Sequence, residues 1–303
     1  MADSNAIWDV TAGLAGKPLL SVSAFRTLAD GLDHPEGVAC GPHGEIYAGG
    51  EAGQLYQVAE DGAVTEIART GGFLLGLCLD AAGAVYACDN GLKHEVVRIA
   101  PDGTISAWSN GAPERRMQTP NYPVFAADGA LYVSDSGAWN GNDGCLFRVS
   151  PTGGTTLFSD TLTAFPNGLA IDPSGSWLYV VLSQMPGVVR LPLDLGSGRK
   201  PAPETVVELP HNVPDGLAFD EENNLYIACY APSVIYRLER GLPGGRLETL
   251  VADWESTQIA APTNIAFCGP ERRTFVVASL ARWHLSAVEM PVPGAPLVYP
   301  ALP

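Results

Sequence analysis

The chain has 303 residues, 46% of them hydrophobic, so it can bury a sizeable core and is not a disordered polymer. Its formal net charge of −16 excludes the basic face that duplex or anionic-lipid binding demands. No apolar run reaches the ~18 residues of a membrane helix.

The opening MADSNAIWDVTAG has neither a basic start nor an apolar core segment, so a secretory leader is not expected. The cysteines (Cys40, Cys78, Cys88, Cys145, Cys229 and Cys268) form no CxxC pair and lie mostly in apolar, strand-like runs. Buried, reduced thiols in a cytoplasmic protein are the expectation. The 34 glycines and 25 prolines are scattered rather than gathered in a linker, which suits many short strands and turns.

One phrase recurs along the chain. It appears as EGVACGPHGEIY ending at Tyr47, LGLCLDAAGAVY at Tyr86, NYPVFAADGALY at Tyr132, NGLAIDPSGSWLY at Tyr179, DGLAFDEENNLY at Tyr226 and TNIAFCGPERRTF at Phe275. Each copy reads as a small-residue strand, a polar turn and a second strand bearing an aromatic. The first five copies are followed by a further alternating pair, as in HEVVRIAPDGTISAW. Helical spacing of apolar residues is nearly absent. A period of ~40–50 residues with four strands per unit predicts an all-β chain: a six-bladed β-propeller of four-stranded antiparallel blades around a central channel. Residues 1–303 are read as one propeller domain, with the N-terminal segment, through PLLSVSAFRTLA, supplying an outer strand that closes the ring.

The residue at the head of each first strand is, in order, Glu36, Leu75, Asn121, Asn167, Asp215 and Thr263, and a proline precedes five of the six. Proline fixes φ and lacks an N–H, so it pins the chain where it enters the innermost strand. Equivalent positions of a pseudo-symmetric ring face one axis, and four of these six side chains carry amide or carboxylate oxygens. Two carboxylates ~5 Å apart repel by ~3 kcal/mol at an effective dielectric near 20, so either a proton or a cation must lie between them. The donor set is hard oxygen, which suits one divalent cation: Ca2+ first, with Mg2+, Mn2+ or Zn2+ as alternatives.

The phrases HPEG, LYVSDSG, FPNGLAIDPSG, VPDGLAFDEENNLYIA and PTNIAFCGPERRTFVVAS, in this order, resemble the SMP-30/gluconolactonase (regucalcin-like) family over about residues 30–280. The resemblance implies a six-bladed propeller with one axial divalent cation held by Glu36, Asn167 and Asp215, and Asn121 beside it near the substrate. It also implies hydrolysis of lactones of sugar acids or related cyclic esters. In that frame the cation polarises the carbonyl, a water attacks, and Asp215 is the expected base. Where sugar-lactone members often carry an Arg and an Asp around the third-blade Asn, this chain has Thr119 and Tyr122, which with Leu75 and its GGFLLG run predict a less hydroxylated substrate.

His34 is expected at the channel rim with the substrate; His211, His284 and Trp283 are further rim candidates. The polar run at residues 136–145 is expected to cover the mouth or to bind a second ion. A small-molecule substrate is the expected partner, with no nucleic acid and no membrane. The competing readings are a strictosidine-synthase-like propeller, which does not rely on the axial metal, another metal-site propeller enzyme acting on a non-sugar substrate, and a non-catalytic NHL- or WD-type binding propeller.

Overall fold

The structure is a computed structural model that describes residues 14–194 and 201–303. Its strands form six four-stranded antiparallel sheets among the described residues. Each sheet runs outward from an axis in chain order: Val38–Cys40, Ile46–Gly49, Gln54–Val58 and Val64–Arg69 make blade one; blades two, three, four and five open on Leu74–Leu79, Pro120–Phe125, Pro166–Ile171 and Val213–Phe219. Blade six opens on Pro262–Cys268 and is completed on its outer side by Arg26–Asp30, which pairs with His284–Glu289. PLLSVSAFRTLA thus lies where the ring closes: Leu19 and Leu20 first donate their N–H groups to Thr249 and Leu250 of blade five, and the chain then joins blade six. The first 13 residues of the N-terminal segment lie outside the described residues.

The recurrent aromatic has a packing role. Tyr86, Tyr179 and Tyr226 are almost fully buried, and each meets a phenylalanine on the innermost strand of the next blade, at 5.0 Å for Phe125, 5.0 Å for Phe219 and 5.3 Å for Phe267. These edge-on contacts add to the burial of large apolar rings between blades. The turn aspartate has a local role. Asp80 accepts the Ala82 and Ala84 amides, and Asp220 accepts those of Glu222 and Asn224, so a polar side chain closes each hairpin turn.

The phrase Pro-Asn-Gly at 166–168 marks a β-bulge. Pro166 pairs with Leu182 and Leu169 with Val180, so Asn167 and Gly168 together oppose one residue. The same slip occurs at Leu74/Leu77, Pro214/Leu217 and Pro262/Ile265, and a related one at Pro120/Tyr122. A bulge bends its strand and re-aims a side chain, which at Asn121, Asn167 and Asp215 turns the head residue toward the axis. The glycine is required by close approach. A Cβ on Gly168 would overlap the Asp215 carbonyl, and one on Gly216 would stand 2.6 Å from the Thr263 carbonyl, so adjacent innermost strands nearly touch.

Below the heads, the innermost strands enclose a cavity of about 290 Å3 lined by Leu77, Leu169, Leu217, Ile265 and other apolar groups. The C-terminal segment runs across this end. Ala295 N–H donates to Phe219, Ala81 N–H donates to Pro300, and the Tyr299 hydroxyl lies 3.0 Å from the carbonyls of both Cys40 and Gly41. The six thiols are free, and all but Cys78 are buried.

Gly168→Ala is expected to destabilise the fold by about 1–3 kcal/mol through backbone overlap, and Tyr299→Phe by about 1 kcal/mol through the lost hydroxyl contact. Chemical denaturation midpoints of the two variants check both, and an unchanged midpoint for Gly168→Ala would contradict the close strand approach.

Candidate metal centre

Asn121, Asn167 and Asp215, each on a bulge, and Glu36, which precedes the unbulged strand Val38–Cys40, are the oxygen-bearing heads. Asn121, Asn167 and Asp215 are each 5% exposed, and Glu36 is partly exposed. The orientation of the asparagines follows from counting protons. The Ser136 hydroxyl donates to the Pro166 carbonyl at 2.8 Å, so toward Asn121 it can only accept, and Asn121 Nδ2 meets it at 3.0 Å. One blade on, Ser183 donates to Pro214 at 2.7 Å and accepts from Asn167 Nδ2 at 3.3 Å. Each serine therefore captures an amide nitrogen and leaves the amide oxygen on the opposite side. Asn167 Oδ1 and Asp215 Oδ1 are buried with no hydrogen-bond partner.

The carboxylates repel. Removal from water raises Glu36 from its ordinary 4.5 to about 7, helped by the negative charge of Glu51. Burial holds Asp215 well above the usual carboxylate range, Glu36 adds to that, and a hydrogen bond from Asn167 opposes it. No lysine or arginine among the described residues forms an ion pair with either group. Buried acceptor oxygens and like charges without a counter-charge are the donor set of a hard cation, and Glu36, Asn167 and Asp215 fit such an ion.

The expected substrate-side residues do not all gather at this ring: Tyr122 and Leu75, expected beside the substrate, are taken up by apolar packing. Thr119 is partly exposed beside it, its N–H held by Asp135 at 2.9 Å. Tyr122 is 8% exposed and faces the apolar chamber. Leu75 is packed in the buried cluster with Tyr86, Met117 and Phe125. His34 has a left-handed backbone (φ 40°), its Nδ1 lies 2.6 Å from Glu51 Oε2, and its ring is 4.4 Å from that of Trp283. The structure thus joins His34 to Trp283, and it places His284 in a strand, buried, with Nε2 2.9 Å from the Gln258 carbonyl. His211 is exposed.

Asp33, His34 and Glu51 bring ligand atoms within 4.8 Å of one another. Asp33 Oδ2 is already taken by Ala52 N–H and Gln54 Nε2, and the Gln54 bond holds this carboxyl below its ordinary value. The axial ring, with its unpartnered oxygens, fits a cation better. In the run at 136–145, Asp143 turns back to accept the Ala138 N–H and Trp139 meets Phe165 edge-on, with ring centroids 4.7 Å apart.

Several contributors carry no signal in the repeat. Ser136 and Ser183 orient the amides, Glu51 lies a hairpin away from Glu36, and Asn264, 1% exposed, donates from Nδ2 to the Glu36 carbonyl at 3.1 Å. Ser136, Ser183 and Asn264 also bond carbonyls of the next blade, contacts that no single repeat displays.

A family model for the SMP-30/Gluconolactonase/LRE-like region matches residues 109–281, and one for the strictosidine synthase-like N-terminal region matches residues 22–58. None of the curated proteins matches the chain by sequence. Among solved structures, a gluconolactonase from Xanthomonas campestris is 20% identical over 89% of each chain, with a TM-score of 0.73. A luciferin-regenerating enzyme is 17% identical over 92% of this chain and 99% of that one, at 0.75. The calcium-binding protein regucalcin from Agrobacterium tumefaciens is 16% identical over 92% and 97%, at 0.73.

In cation-free protein, folded Glu36 keeps its proton up to about pH 7, whereas the unfolded chain releases it near 4.5. The stability from this group is complete below 4.5 and is lost as pH rises through about 7. The rise in melting temperature on adding a divalent cation should therefore grow across that interval, since binding displaces the proton. Melting curves with chelator and with Ca2+ read this directly; a cation shift independent of pH would contradict it.

Proposed function

This chain belongs to the SMP-30/gluconolactonase/LRE-like family, and from that premise we propose that it is a cation-dependent hydrolase of lactones. The observation that supports the reading most is the pair of buried, unpartnered oxygens of Asn167 and Asp215 beside a second carboxylate, Glu36. A divalent ion held by Glu36, Asn167 and Asp215 would supply Lewis acidity toward the lactone carbonyl; Ca2+ suits the all-oxygen donors, with Mg2+, Mn2+ and Zn2+ as alternatives.

The chain's own residues do the rest. Asp215, ionised in the loaded protein, takes the proton of the attacking water at a carboxylate oxygen. Glu36 balances charge. Asn121, its nitrogen fixed by Ser136, presents its oxygen to the substrate side. His34, held between Glu51 and Trp283, borders the mouth. Thr119 makes this side poorer in charged hydrogen-bonding groups than an arginine would, which favours a substrate with fewer hydroxyls than an aldonolactone, whereas Tyr122 and Leu75 are turned to the apolar chamber and to the packing between blades and do not line it. The proposed substrate is a small molecule, and the net charge of −16 disfavours nucleic acid and anionic membranes as partners. The described residues contain no helix long and apolar enough to cross a membrane. A cytoplasmic setting agrees with the six free thiols.

A second reading draws on the match of residues 22–58 to the strictosidine synthase-like model, a segment that includes Glu36. Chelation separates the two, because the amine–aldehyde condensation expected of that reading does not rely on the axial metal.

Proton release against a panel of sugar and aliphatic lactones should appear with the cation, vanish with chelator and return on add-back. Asp215→Asn should lower turnover by ~10^2-fold or more while the fold persists. Absence of turnover on every lactone with cation present would overturn the proposal.

A further inference from the structure

We propose that Asn264 supplies an additional oxygen to the cation on the axis, from the blade that carries threonine rather than an oxygen-rich side chain at its head. The inference rests on the axial cation site described above and adds a ligand to it that the repeat does not mark.

Asn264 occupies the second bulge position of blade six. In blades one, two, four and five that position is glycine (Gly37, Gly76, Gly168 and Gly216), because each neighbouring strand lies too close for a Cβ. A side chain here is therefore forced against the axis end of the next blade. For Asn264 that neighbour is blade one, and the contact is with the carbonyl of Glu36.

The amide orientation follows from chemistry. A carbonyl oxygen only accepts, so the group at 3.1 Å from the Glu36 carbonyl is Nδ2, and Thr263 Oγ1 donates to the same carbonyl at 2.8 Å. Oδ1 then lies on the opposite edge of the planar amide group, pointing away from the Glu36 carbonyl. It stands 2.8 Å from the place a Cβ on Gly216 would take, on the flank of the residue that follows Asp215. Asn264 Oδ1 is buried and has no donor. The structure thus leaves unpartnered oxygens on three successive blades, at Asn167, Asp215 and Asn264. A buried acceptor without a donor is costly, and one cation satisfies all three.

The two ends of the amide have separable roles, which makes the proposal testable. Asn264→Asp keeps an oxygen toward the axis but loses the donor to Glu36. Asn264→Ala loses both. Thr263→Val removes the companion bond to the Glu36 carbonyl and no axial oxygen. Binding is read on chelator-treated protein by calorimetry with Ca2+ and by sensitised Tb3+ luminescence, with no substrate present.

Asn264→Ala should weaken binding by about tenfold, and Asn264→Asp should bind more tightly than wild type because a charged ligand replaces a neutral one. Thr263→Val should lower the melting temperature while leaving cation affinity within about twofold. Equal weakening by Ala and Asp, or no change in either, would overturn the inference and leave Asn264 as a tie between blades six and one. Failure of the wild-type protein to bind any divalent cation would instead overturn the axial site itself. Should Asn264→Ala not fold, the direction of the Asn264→Asp change still decides.

Discussion

Everything at the axis depends on how closely the six innermost strands approach one another. At the heads the backbones come so near that a Cβ on Gly168 has no space beside the Asp215 carbonyl. That closeness demands glycine after most head residues and is accompanied by a bulge at five of them. At Asn121, Asn167 and Asp215 the bulge turns the head side chain inward. Packing thus decides which residues can form a site before any chemistry is considered, and the site inherits the rigidity of six sheets.

The electrostatics of the ring follow from that packing. Glu36 raises the cost of charge on the buried Asp215, and Glu51 does the same to Glu36. Elsewhere in the protein, the half-buried carboxylate of Glu248 meets Arg237 at 3.3 Å. Here the neighbours are amide oxygens and serine hydroxyls. The serines spend their one proton on backbone carbonyls of the next blade, at Pro166 and Pro214, and so fix the asparagines with oxygen free. The same hydrogen bonds that hold adjacent blades together therefore also set the polarity of the ring.

The two ends of the channel differ. One carries the oxygen ring; the other is an apolar chamber crossed by Ala295–Tyr299, whose contacts span blade five at Phe219, blade one at Cys40 and, through Pro300, blade two at Ala81. The C-terminal segment thus ties together blades that are far apart in the chain, while the strand Arg26–Asp30 closes the ring through blade six.

The sequence by itself determined the repeat. The hairpin phrases gave the number of blades, the aromatic gave the register, and the proline before the head marked where each innermost strand begins. These features are legible because each is local: a turn aspartate closes its own hairpin, and a proline restricts its own φ. Glu36, Asn121, Asn167 and Asp215 could be aligned for the same reason. The tertiary structure alone decided which atoms face the axis and which neighbours they have. Ser136 meets a carbonyl 30 residues away, and Asn264 meets one 228 residues away. No window of sequence holds such a pair, because ring closure brings the first blade against the last. Leu75 shows the same limit: its place in the repeat was plain, but its burial among Tyr86, Met117 and Phe125 depends on how blades two and three pack.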